Sequence, residues 1–133
     1  MLPVAWGPAA AQPSPAVQIL LDTCKTTADG PPLTERLAAC TQLITTPPGP
    51  GPLAYALTVR GVLLGRSGEC DRAIADLNSA ARVTPDSRDT FYSRALTRMQ
   101  CRGDAAATLA DLTETLRLDP EFMLAYRPRG RSI

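Results

Sequence analysis

Tyr55–Pro85 reads YALTVRGVLLGRSGECDRAIADLNSAARVTP, and most of it is written a second time further along the chain. Arg60-Gly61 returns as Arg94-Ala95. Asp71–Leu77 returns, loosened, as Ala105–Leu112, and Val83-Thr84-Pro85-Asp86 returns as Leu118-Asp119-Pro120-Glu121. The offset is about 34 residues in the first half of the unit and about 35 in the second. One extra residue therefore sits near Cys101-Arg102-Gly103. A third copy begins with Tyr126 and Arg129-Gly130. A period in the middle thirties, with Gly at an internal turn and Pro at the exit, reads as a helix-turn-helix repeat. The expected fold is all-α: a repeat array over residues 54–133 (54–87, 88–122 and a partial 123–133).

Outward from that stretch, Pro47–Pro52 reads as a stiff linker over 47–53. Before it lies an expected helical hairpin over 15–46. Ser14-Pro15 offers an N-cap and a first-turn proline, and Val17, Leu20, Leu21 and Cys24 form one apolar stripe. That helix should die near Ala28-Asp29-Gly30. The second runs from about Leu33 to Thr45, with Leu33, Leu37, Cys40, Leu43 and Ile44 on one face. Residues 1–14 read as a signal-peptide remnant, because Ala9-Ala10-Ala11 has the small-residue spacing of a signal-peptidase site. A disordered Ala/Pro-rich segment is the alternative.

Composition excludes several function classes. The formal net charge is +1, so there is no electrostatic case for nucleic acid or an anionic membrane. No apolar run approaches the roughly 18 residues of a membrane span. The chain contains no histidine, which removes Ser-His and Cys-His nucleophile pairs, His general bases and His metal ligands. Carboxylates alone form no catalytic motif here, so no enzyme activity, metal or cofactor is expected. Cys24, Cys40, Cys70 and Cys101 are even in number and lack the close C-x-x-C spacing of zinc sites. Paired disulfides fit them better than zinc or free thiols, and point to export into the periplasm or beyond the cell.

Arg60-Gly61, Gly68, Ala73, Ala80 and Pro85 resemble the tetratricopeptide repeat, with small residues where that family's helices touch and a proline ending the unit. Asp71–Asp76 is similar to a wording common in bacterial members. Leu37–Ile44, around Cys40-Thr41, looks like the start of exported repeat proteins. The second copy departs from the pattern with Ala95, Thr108 and Thr115. The resemblance implies a scaffold that binds protein or peptide, on a face lined by the first helix of each unit. Tyr55, Thr58, Val62, Arg66, Tyr92, Leu96 and Met99 are the exposed inner positions of those helices. The alternative is that Val62, Leu96 and Met99 simply pack between helices. The family's carboxylate clamp needs Lys and Asn where this chain has Thr58 and Val62, so capture of a peptide C-terminus by that route is not expected.

The repeat register makes two further expectations. An antiparallel hairpin folded at Gly68 sets Arg60 level with Asp76, and one folded at Gly103 sets Arg94 level with Asp111, as structural ion pairs. The same register brings the start of one second helix, Cys70, to the end of the next first helix, Cys101. Cys24 and Cys40 face each other across the N-terminal hairpin, with Cys24 nearer its turn. The helix carrying Leu109, Leu112 and Leu116 has only a partial unit after it, so self-association or a partner should cover it. A fragment or accessory module of a larger exported protein, a hydrolase included, is the alternative function.

Overall fold

The computed structural model describes residues 13–27 and 29–122. Among these the chain is all-helical, with no strand: α1 (Pro15–Thr23), α2 (Leu33–Thr45), α3 (Pro50–Arg66), α4 (Cys70–Val83), α5 (Arg88–Gln100) and α6 (Ala105–Leu118). The readings placed on residues 1–12 and 123–133 lie outside the described residues. Each helix packs on its neighbour in sequence, and α3 also touches α5.

α1 begins as its sequence dictates, with the Ser14 side chain accepting from the Val17 amide and Pro15 in the first turn. It ends at Thr23, earlier than its apolar stripe implies, because Cys24 turns out of the helix as the cap. That early end removes the mismatch expected at the N-terminal disulfide. Once outside the helix, Cys24 reaches Cys40 of α2 with a Cα–Cα separation of 5.0 Å. Both cysteines are fully buried, in an apolar cluster with Ala39, Leu43, Ala56, Val59 and Leu63 that joins α2 to α3.

α3 starts at Pro50, inside the expected 47–53 linker. Pro50 and Pro52 are compatible with this because first-turn amides have no intrahelical partner to lose. α3 then runs into the hairpin that carries the tightest helix contact. A Cβ at Gly61 would stand 2.8 Å from Leu77 Cγ and 3.0 Å from the Ala73 carbonyl of α4. Only glycine lets the two backbones approach this closely. Leu64, Ala73, Leu77 and Ala80 fill the remainder of that interior.

The two hairpin turns differ by one residue. Gly68 takes the left-handed conformation after α3, with φ of 88°, and Glu69 leads directly into α4. After α5 that conformation falls on Arg102, with φ of 56°, and Gly103 donates to the Arg98 carbonyl at 2.7 Å. Asp104 then caps α6 by accepting from the Ala106 amide. Gly103 is therefore the extra residue, and the turn glycine of the first copy corresponds to Arg102. A second disulfide, Cys70–Cys101, spans 6.0 Å between Cα atoms and ties the start of α4 to the end of α5. A cross-link enclosing a loop of this size is worth about 4 kcal/mol, largely by restricting the unfolded chain.

A candidate binding groove between α3 and α5

Two ion pairs set the spacing of the helices behind the groove. Arg60 donates Nε to Asp76 Oδ2 at 2.7 Å and Nη2 to Asp76 Oδ1 at 2.9 Å, and its third nitrogen reaches Thr41 of α2 at 3.2 Å. Arg94 repeats the fork on Asp111, at 2.9 and 2.7 Å, and reaches back to Asn78 of α4 at 3.0 Å. Each guanidinium thus joins three helices: its own, the next, and the one before. Asp111 also accepts from Arg98, so one buried carboxylate serves two arginines. The backward contacts to Thr41 and Asn78 carry no sequence signal, since many polar residues could accept there.

With the helices so spaced, α3 and α5 leave a groove of about 650 Å³ between them. Tyr55, Thr58, Val62 and Arg66 line it from α3, and Tyr92 and Leu96 from α5. Met99 is well exposed but does not line it. Leu96 is 44 % and Tyr55 41 % exposed, so both keep apolar surface available to a ligand. Thr58 is satisfied within the fold, donating to the Ala54 carbonyl at 2.8 Å and lying 3.0 Å from the Thr90 hydroxyl.

The groove has two edges that sequence reasoning did not assign. One is the segment after α1. Tyr55 donates its hydroxyl to the Cys24 carbonyl at 2.7 Å, and Arg66 donates to the Thr26 carbonyl at 2.8 Å. Burial pushes the Tyr55 phenol above its ordinary pKa, with the nearby Asp22 carboxylate adding to the effect. The hydroxyl is therefore a neutral donor at physiological pH. The other edge is Phe122, buried against Tyr92 edge-on with centroids 4.9 Å apart and capped by the Arg88 guanidinium at 4.7 Å. Asp89 stands exposed at the start of α5.

The arrangement offers aromatic and aliphatic surface, a few hydroxyls, a cation at Arg66 and a carboxylate at Asp89. It holds no paired acid and base. Among the described residues no cluster of three or more cysteine or acidic side chains could hold a metal ion. No described helix is long and apolar enough to cross a membrane. The two disulfides belong to an oxidising compartment. No family model, no curated protein and no solved structure matches the chain.

Proposed function

We propose that this chain is a non-enzymatic helical-repeat scaffold of the tetratricopeptide type, exported to the bacterial periplasm or beyond the cell. In this reading it binds a segment of another protein in the groove between α3 and α5. The supporting observation is that six inner-face residues from two helices, Tyr55, Thr58, Val62, Arg66, Tyr92 and Leu96, meet along one groove. Tyr, Leu and Arg are residue types that concentrate binding energy at protein interfaces or supply apolar contact there. The absence of histidine from the sequence supports a binding role over catalysis.

Selection from a displayed peptide library against the oxidised protein tests this. Enriched peptides should bind in the micromolar range and lose about tenfold or more on Leu96→Asp, the loss expected from a single buried anchor. Leu96 is half exposed, so the change should leave the melting temperature nearly intact. Failure to enrich any peptide sensitive to Leu96 would contradict the proposal.

A second docking surface is favoured by α6, where Leu109 is 65 % and Leu116 42 % exposed while Leu112 is half-buried. Self-association, or a neighbouring domain of a longer exported protein, would cover it.

A further inference from the structure

Arg36 lies on α2, away from the groove lining, yet it is almost fully buried. Among the described residues of the connection from α1 to α2, its guanidinium donates to the main-chain carbonyls of Pro31 at 2.7 Å, Asp29 at 3.1 Å, Lys25 at 3.4 Å, and Thr27. A planar fork with five donors suits such a ring of acceptors, which no lysine could reproduce. Gly30 leaves room for it. With φ of 130°, Gly30 sits where a Cβ would stand 2.9 Å from Lys25 Cε and 3.2 Å from Arg36 Nη2.

The same connection faces the groove with its other carbonyls. Cys24 accepts from Tyr55 and Thr26 accepts from Arg66. The strip Cys24–Thr27 is therefore held between Arg36 behind it and two groove side chains in front. Its near end is pinned by the Cys24–Cys40 disulfide, and Cys40 lies one helical turn beyond Arg36 on α2. We infer that Arg36 is a positioning residue for the groove: by fixing the Cys24–Thr27 carbonyls it sets where Tyr55 and Arg66 stand and how wide the groove opens. The inference rests on the groove being the binding face.

The test compares Arg36→Ala, Arg36→Lys and Glu114→Gln in the full oxidised chain, reading the side-chain resonances of Tyr55 and Arg66 and the pH at which Tyr55 ionises. Arg36→Ala should shift both sets of resonances and lower the Tyr55 titration toward an ordinary phenol, as the strip loosens and water enters. Arg36→Lys should fall between Ala and wild type, since an ammonium restores some of the donors. Glu114→Gln, which breaks a surface ion pair with Arg117 on α6, should leave both readouts unchanged. Should Arg36→Ala not fold, Arg36→Lys and Gly30→Ala, which crowds the guanidinium, provide the same readouts. A peptide selected on the wild-type groove should bind about tenfold more weakly to Arg36→Lys, the loss expected from displacing one or two ordered polar contacts. Unchanged Tyr55 and Arg66 signals in the Arg36 and Gly30 variants would overturn the inference even if peptides bind. If the signals shift but no peptide is ever selected, the positioning role stands and the binding reading fails.

Discussion

The α3/α4 and α5/α6 hairpins share one register and are held together by different physics. In the first, Gly61, Leu64, Ala73, Leu77 and Ala80 make an apolar interior. The second has Ala95, Arg98, Thr108, Leu112 and Thr115 at the same places. Thr108 and Thr115 stay satisfied locally, Thr108 donating to the Asp104 carbonyl at 3.0 Å and Thr115 to the Asp111 carbonyl at 2.8 Å. Both of its helices carry side-chain caps, from Ser87 and Asp104, whereas α3 and α4 have none. A helical hairpin can thus lose most of its hydrophobic interior if every polar replacement finds a partner and the helix ends are closed. The groove runs between the two kinds of hairpin.

The largest expected effects are at the two carboxylates. Asp111→Asn strands both Arg94 and Arg98 in a poorly solvated place and should cost about 3 kcal/mol. Asp76→Asn strands Arg60 alone, whose side chain is 20 % exposed, and should cost about 2 kcal/mol. Urea denaturation of the two variants reads this directly. Equal costs, or a larger one at Asp76, would break the contrast.

Next in size is the close helix contact. Gly61→Ala pushes a methyl into Leu77 and the Ala73 carbonyl and should cost about 1–3 kcal/mol. The matching Ala95→Gly opens space and loosens the helix, costing about 1 kcal/mol. A neutral Gly61→Ala would mean that α3 and α4 can slide apart freely, and the first hairpin would not be the tightly packed one.

The smallest effects lie at the turns and have opposite signs. Gly68→Ala puts a Cβ on a left-handed residue with open space around it, so the loss of about 1–2 kcal/mol is purely backbone. Arg102→Gly relieves the same conformation and should gain about 1 kcal/mol. Thermal melts of the pair sharpen the comparison, and an Arg102→Gly variant that melts lower would show that the arginine side chain contributes more than its backbone costs.

How much of this could be read from the sequence follows from what the repeat encodes. Internal repetition sets register, and register sufficed to put Arg60 level with Asp76 and Cys70 beside Cys101. It also gave the helical class and most helix limits. It did not place the start of α3, because proline reads as a breaker until one asks whether it falls in a first turn. Nor did it assign the extra residue to Gly103, since Arg102 gives no outward sign of a left-handed backbone. Arg36 was invisible for a different reason. Its partners are main-chain carbonyls, which every residue owns, so no spacing of side chains announces them. Phe122 follows the last exit proline as an isolated aromatic, and only its contacts with Tyr92 and Arg88 make it an edge of the groove.

Native-state hydrogen exchange on the oxidised full chain measures the contrast between the hairpins in one experiment. The account predicts that amides of Leu63, Leu64, Leu77 and Ala80 open only with global unfolding, while those of Thr97, Thr108 and Thr115 exchange through an opening of lower free energy. Equal protection in the two hairpins, or slower exchange from α5 and α6, would contradict it.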